Sequence, residues 1–573
     1  MHGGAAKPGS IIYGVRDVPP IGSVIPLVMQ HVAMLSVELV FPVIVVTMAG
    51  GTVDMARDAV SLMMIAMGIG TILQAWRKGP IGSGYFCAHE TGTAYFPAVI
   101  ATIQAGGIGL MSGMVLLSGL LQMLFSRLVH RLRILFPSEI IGLIIVMMAF
   151  SYIGYGMKAF WGVGGEHHKA VPATPEAIAV GFFTLLVIIS LYIWGGKRMR
   201  EYAILAGMAV GYVGAWFFEV IDSAAIERVA AAPVFTFPNV QGGWSFDLRF
   251  LPAFAVAALC SSIITIGNMS TCQKVNELDW RRLDLKSAGN GLFAEGLATS
   301  VSGMLGALPQ TTSPGSVGLS VATGATSRYL GFAVGGVLIA LSFFSQIATF
   351  LAIMPKPVIG VILLVEIAFI FPAGMQVCTS RMLDFRKMFV LGLAIAFGMA
   401  VDIVPEMGRA WPDWLAQLFN SPIALASITA ILLTLLFRIG IASHQVIELE
   451  LKEYPERLAQ FLEESGEGWG ARREVIHRML FSLEELFQLL EAEKLATSPI
   501  KLDISFEEFN MEALVIYEGL PPVLSNIRPS DAELLEEEGA LVQLSGFLVR
   551  KYARKIKIEE KDGKCQIRLG FEH

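Results

Sequence analysis

Five places in this chain put polar or ionisable side chains inside apolar surroundings. The most concentrated is Gly303 to Arg328, GMLGALPQTTSPGSVGLSVATGATSR. Pro309 and Pro314 each remove a backbone donor, and Gly306, Gly315 and Gly318 lie around them. Gln310, Thr311, Thr312 and Ser313 are therefore expected to be extended, with unpaired amides that lipid cannot satisfy. A helix restarting near Ser316 and running to Arg328 aims its positive end back into the break, where a polar solute or ion can accept from bare N–H groups. The plainer reading is a kinked helix packed on small residues, but a kink does not need two prolines and four consecutive polar residues. His89 and Glu90 are the second place. Ionisable residues at membrane depth face a cavity or pair with one another, and adjacency puts these two on different sides of a helix, so Glu90 is the preferred member. Glu38, Glu295 and Glu366 complete the set. Burial favours the neutral form of a carboxylate, which lets such a group take up and release a proton as its access changes. Glu295, beside the break, is the first candidate for proton coupling and Glu90 the next.

These residues need a scaffold, and composition says which kind. Of 573 residues, 54% are hydrophobic and 16% charged, against about 25% charged in soluble domains; mean hydropathy is +0.63. Apolar runs of roughly twenty residues begin near Ile21, Met55, Ile81, Gly106, Ile134, Pro175, Tyr202, Leu251, Gly289, Ser316, Tyr329, Pro357, Met388 and Ser421. This predicts an all-α polytopic membrane protein of about fourteen spans. Basic clusters follow the even-numbered spans: Arg77 and Lys78; Arg127, Arg131 and Arg133; Lys197, Arg198 and Arg200; Lys274, Arg281, Arg282 and Lys286; Arg328; Arg381, Arg386 and Lys387; Arg438. Both termini are then expected in the cytoplasm of a bacterial inner membrane, the tail of residues 1–20 being a short soluble segment and not a cleaved signal. His167 to Lys169 falls in an external loop and reads as a solvated surface. Span 3 opens on GPIGSGYF (79–86) and span 10 on the stretch above, so each half of seven spans has a Gly/Pro-broken third member. Seven is odd, which inverts one half against the other, and matched broken helices in inverted halves point to a transporter site at the bilayer midplane. Cys87, Cys260, Cys272, Cys378 and Cys565 show no metal or disulfide spacing. No nucleophile–base pair, cofactor site or nucleic-acid partner is read, and an enzyme is not expected.

Four motifs carry a family resemblance: LVMQHVAML in span 1 with Gln30 and His31, MGIGTILQAWRKGPIGSGYF (67–86), SGMLGALPQTT (302–312) and SRMLDFRKMFV before span 13. In this order and at these spans they resemble the nucleobase–ascorbate transporters, the uracil/xanthine permeases, over about residues 20 to 440. The resemblance implies fourteen spans as two inverted seven-span repeats divided into a core and a gate domain, a homodimer built through the gate, and transport of a nucleobase with protons or ascorbate with sodium. It also exposes departures. Aligned on Ile266-Gly267, Ile264 stands where the family has the glutamate that binds the base. Gly315-Ser316-Val317-Gly318 stands where span 10 has an acidic or amide residue, asparagine, any residue and glycine. The remaining solute-binding candidates are Gln30, His31, the span 3 backbone near Tyr85, Ser261, Ser262, Thr311, Thr312, Ser313, Pro314, Gly315 and Ser316. His31 is read equally well as a packing histidine tying span 1 to span 8 and as a direct solute contact, and it is also a candidate proton-coupling group.

From about Ser443 the chain turns charged. Apolar residues recur at helical spacing, followed by strands at 500–504, 511–518 and 555–571, the last divided by a turn at Lys561-Asp562-Gly563-Lys564. A cytoplasmic α/β domain over 442–573 is expected, after a transporter domain over 21–441. Its order resembles the ATPase fold of histidine kinases and anti-sigma factors, yet Leu489 stands at the Mg²⁺-binding Asn position four after Glu485, and Tyr517-Glu518-Gly519 at the adenine-contacting Asp-x-Gly. That favours a regulatory or docking role with a cytoplasmic partner; a sulfate-transporter type regulatory domain is the second choice. Two functions stay open. One is a permease for a small nucleobase-like or other polar solute, coupled to protons or Na⁺. The other is a transporter-fold sensor signalling through its C-terminal domain.

Overall fold

The computed structural model describes the chain apart from residues 1–7, 10, 78, 133–137, 164–173, 197–198, 201, 241–242, 279–282, 381, 405, 407–411, 413–420, 438–443, 452–453, 508–509, 531–538, 562 and 573, and the side chains of 128–132, 138, 507, 561 and 572. The expectations for Lys78, Arg131, Arg133, His167 to Lys169, Lys197, Arg198, Arg281, Arg282, Arg381, Arg438 and Asp562 lie outside what is described. The chain divides into two units, Met1–Met375 with Ala394–Thr429, and Gln376–Leu393 with Ala430–His573.

In the first unit, span 1 is α1 (Ile21–Leu35), a 3₁₀ turn at Ser36–Leu39 and α2 (Val40–Met48). Span 2 is α3 (Val53–Ala75), started by Thr52, whose hydroxyl accepts from Met55 N. Span 3 is β1 (His89–Thr91) followed by the first part of α4 (Phe96–Leu132), and span 4 is the remainder of α4. The division falls at Gly107, whose φ of 72° and ψ of −165° are open in practice to glycine alone. Spans 5 to 7 are α5 (Ser138–Phe160), α6 (Pro175–Trp194) and α7 (Ala203–Phe217), after which α8 (Ser223–Ala231) forms a short exposed helix.

The pattern then repeats. Span 8 is α9 (Leu251–Asn276) and span 9 is α10 (Leu285–Leu305), the latter capped by the Asp284 carboxylate and ended by left-handed Gly306. Span 10 is β2 (Gln310–Thr312) with α11 (Pro314–Thr323); span 11 is α12 (Arg328–Leu341) and α13 (Ser345–Ala352), bent by 81°. Spans 12 to 14 are α14 (Lys356–Cys378), α15 (Phe385–Ile403) and α16 (Pro422–Phe437). Among the described residues seven helices are long and apolar enough alone to cross a membrane, eight with the bent pair. The other spans are the short and broken segments that mark this architecture. The span 10 helix does not run on to Arg328: left-handed Gly324 ends it at Thr323, and Arg328 opens α12.

The second unit contains a five-stranded sheet in the order β3-β4-β5-β7-β6, antiparallel throughout. The strands are β3 (His444–Leu449), β4 (Ile500–Glu507), β5 (Asn510–Glu518), β6 (Lys555–Lys561) and β7 (Lys564–Glu572). The helices are α17 (Tyr454–Trp469), α18 (Arg473–Ala492) and α19 (Ala540–Tyr552). β5 alternates with period two, burying Met511, Ala513, Val515 and Tyr517, while α18 buries Val475, Met479, Leu483, Leu486 and Leu490 at helical spacing against that face. β3 corrects the expectation that helical patterning starts at Ser443. Its six residues are too few to separate the two periods by eye, and pairing with β4 makes them a strand. The loop before α15 belongs to this unit. Met382 enters the domain's core, its N–H donates to Ala471 O at 3.2 Å, and Lys387 Nζ donates to Glu467 O at 3.1 Å.

Candidate functional site

The two broken segments meet. β1 and β2 form an antiparallel pair in the register His89↔Thr312, Glu90↔Thr311, Thr91↔Gln310. Ser313 N donates to Ala88 O at 2.8 Å and Gly92 N to Pro309 O at 2.7 Å, continuing the ladder at both ends. This corrects the expectation of unpaired amides. Each half supplies one strand, and each strand satisfies the other, which lets non-helical backbone persist inside a membrane protein. His89 and Glu90 accordingly sit on opposite faces of a strand, not on two sides of a helix.

One face of the pair holds Glu295, which is fully buried. Its Oε1 accepts from Gln122 Nε2 at 2.7 Å and Ser261 Oγ at 2.5 Å, and its Oε2 from Thr265 Oγ1. Thr265 Oγ1 lies 2.7 Å from Thr312 Oγ1, and Asn268 Nδ2 donates to both the carbonyl and the hydroxyl of Thr312 at 3.0 Å. An amide nitrogen only donates, so with Glu295 ionised the chain has one direction: Asn268 to Thr312 to Thr265 to Glu295. A proton on Glu295 reverses the Thr265 hydroxyl and is felt at Thr312 in β2. The close approach that delivers Gln122 comes from two glycines. A Cβ on Gly296 meets Gly119 O at 2.7 Å, and one on Gly119 meets Gly296 O at 2.5 Å, so α4 and α10 touch backbone to backbone. On the same face His89 Nδ1 is 3.0 Å from Gln310 Oε1, and Gln310 Nε2 donates to Ser302 Oγ at 2.7 Å.

The start of α11 is the other part of the site. Ser313 is its cap, accepting from Ser316 N at 3.1 Å; Pro314 has no N–H, and Val317 N donates to Ser313 O. The expected row of bare donors is thus reduced, because the cap residue lies within the polar stretch itself. The N–H of Gly315 stays open, and Gly315 is exposed beside Met34, whose sulfur is 3.2 Å from where a Cβ would stand. Ser316 Oγ and Thr311 Oγ1 are buried without a hydrogen-bond partner, as is Gln30 Oε1.

His31 is fully buried, its ring tilted by 51° against that of Phe86 with centroids 4.7 Å apart. Nδ1 bonds the Leu27 carbonyl at 2.9 Å and therefore carries a hydrogen, so in the neutral ring Nε2 accepts from Ser320 Oγ at 3.3 Å. It ties span 1 to span 10, not to span 8, because α11 packs between them. Tyr85 turns its hydroxyl to Glu277 Oε1 at 3.0 Å, Ser262 bonds back to Ala258 O on its own helix, and Ile264 is half-buried on α9. Sequence reasoning missed Gln122, Thr265 and Asn268. The signal was present: Ser261, Thr265 and Asn268 lie at i, i+4 and i+7, a polar stripe on one face of an apolar helix.

Paired broken helices, buried polar networks at their crossing and apolar spans on either side define a polytopic membrane transport protein. A family model described as Permease family, that of the xanthine and uracil permeases, matches residues 22–407, and the chain belongs to this nucleobase–ascorbate transporter family. It is 26% identical over 441 residues to xanthine permease XanP of Escherichia coli (strain K12), covering 74% of this chain and 94% of that protein. It is also 26% identical over 423 residues to a xanthine permease of Bacillus subtilis (strain 168), covering 73% and 94%. Among solved structures it is similar to the murine Slc26a9 anion transporter in the inward-facing state, with a TM-score of 0.49 and 10% identity over 74% of this chain and 70% of that one.

Proposed function

We propose that this permease is a secondary active transporter of a small nucleobase-like or other polar solute, driven by protons through alternating access. The observation that carries the coupling is the Glu295 network. A buried carboxylate with three donors, joined through Thr265 and Thr312 to the strand that leads into α11, links protonation to the element bearing Gly315 N–H and Ser316. The xanthine permeases among its relatives support a nucleobase-like solute. Ile264 and Gly315 weigh against tight binding of uracil or xanthine, since a site lacking charged partners loses the stronger class of hydrogen bond. A different small solute, neutral or weakly anionic, suits hydroxyls, backbone N–H groups and one imidazole better. In this reading the protein is an inner-membrane homodimer with cytoplasmic termini, a transporter domain over 21–441 and a regulatory domain over 442–573.

A specific observation favours a second reading, that of a transporter-fold sensor. The loop before α15 is locked into the C-terminal domain by Met382 and Lys387, and Leu489, at the position where a nucleotide site needs Asn, is core. Uptake into proteoliposomes under an imposed pH gradient, with xanthine, uracil, urate and ascorbate, separates the two. Gradient-dependent accumulation of any of them supports the transporter, and ligand binding without uptake supports the sensor.

A further inference from the structure

Directly opposed residues of an antiparallel pair project to the same face. Glu90 and Thr311 therefore share the face of the strand pair turned away from Glu295. Two more carboxylates gather beside Glu90. Glu38 comes from the 3₁₀ turn between α1 and α2, and Glu366 from the stripe of α14 that also buries Ile359, Ile362 and Leu363 in the main core. The carboxyls of Glu38 and Glu366 are in hydrogen-bond contact with each other. Glu38 Oε2 is buried and receives no donor from the backbone or from a neutral or basic side chain. Carboxylate oxygens only accept, so two carboxyls bond to one another only through a proton that one of them carries.

A second observation points to the same place. The Thr311 hydroxyl, 3% exposed and without a partner, projects from β2 onto this face. It is a donor held ready for a carboxylate. Glu90 is itself bonded by the side chain of Ser313, the cap of α11. Among the described residues the other titratable groups facing the trio are Cys87, just before β1, which faces Glu90, Tyr152 of α5, whose hydroxyl donates to Thr93 O at 2.6 Å, and Tyr192 of α6.

We infer that Glu38 and Glu366 hold one proton between them, forming a proton-binding site that joins span 1 to span 12 on the opposite face of the strand pair from Glu295. Its ligand is the proton and not a metal ion: among the described residues no group of three or more His, Cys, Asp or Glu is placed to hold one. Glu90 and Glu366 are half-buried. When the proton leaves, two like charges abut and the contact between spans 1 and 12 is driven apart. This extends the proton-coupled reading above without depending on it, because the pair needs its proton whether or not Glu295 drives accumulation.

Infrared difference spectroscopy of the purified full-length protein between acid and alkaline pH, in H₂O and D₂O, tests the site. A protonated-carboxyl stretch that shifts in D₂O is expected in the wild type and in Glu295→Gln. It is expected to be lost to the same extent in Glu38→Gln, in Glu366→Gln and in the double variant, since one shared proton can be removed only once. Glu366→Asp, which keeps both carboxyls, is expected to shift the band, which covers the case of a Gln variant that does not fold. The inference is overturned if the band survives both single Gln variants, if their losses add, or if Glu90→Gln alone removes it. Failure of Glu295 as coupling group shows instead as retained accumulation in Glu295→Gln, with this band unchanged.

Discussion

Replacing Glu295 by Gln preserves shape and removes the titration. The amide oxygen keeps the bonds from Gln122 and Ser261, and the new NH₂ donates to Thr265 Oγ1, which then turns its own hydroxyl towards Thr312. Bonds to a charged acceptor are worth about 1.5–3 kcal/mol and neutral ones about 0.5–1.5 kcal/mol. Three weakened bonds, offset by no longer burying a charge, leave a net cost of about 1–3 kcal/mol, so the variant folds. Coupling is another matter. A one-unit pH gradient is worth about 1.4 kcal/mol per proton, a tenfold accumulation for one proton per solute. In proteoliposomes loaded with the best ligand of the four-compound panel, the wild type is expected to approach that tenfold ratio. The Gln variant should exchange labelled solute at a comparable rate while accumulating none. Glu295→Asp keeps a titrating group and should retain accumulation at a reduced rate, which separates a lost proton from lost packing. Full accumulation by the Gln variant would refute the argument and pass the role to Glu90.

Three further outcomes follow from the geometry. Ser316→Trp places an indole where a buried hydroxyl now lacks a partner at the start of α11; transport should be abolished with membrane insertion intact, and unchanged uptake removes span 10 from the site. Ile264→Glu should raise affinity for uracil or xanthine tenfold or more, since one charge-assisted bond contributes about 1.5–3 kcal/mol, as read by calorimetry; tight binding by the unmodified protein contradicts the reading of the lost glutamate. Leu489→Asn puts an amide into the C-terminal core, where Leu489 is 1% exposed; it should lower the melting temperature of that domain, at a cost of about 2–5 kcal/mol, and confer no ATP binding in a fluorescent-nucleotide titration.

The span order, the two broken segments and the polar residues at their centre were legible because each rests on local chemistry. Twenty apolar residues suffice to span a bilayer, Pro309 and Pro314 interrupt a helix wherever they stand, and Glu295 is conspicuous in an apolar run. Strands β4 and β5 were likewise readable, because period-two patterning over eight or nine residues is distinct from helical spacing. Partners across the sequence were not. That β2 pairs with β1, more than two hundred residues away, decides that the amides of Gln310 to Ser313 are satisfied and that His89 and Glu90 face opposite ways. That α11 packs against α1 sends His31 to Ser320. Whether Thr265 and Asn268 were packing or part of the site depended on where Thr312 and Glu295 came to rest. Composition and spacing dictate which residues must leave the lipid; only the packing of distant elements dictates which hydrogen-bond partner each one finds.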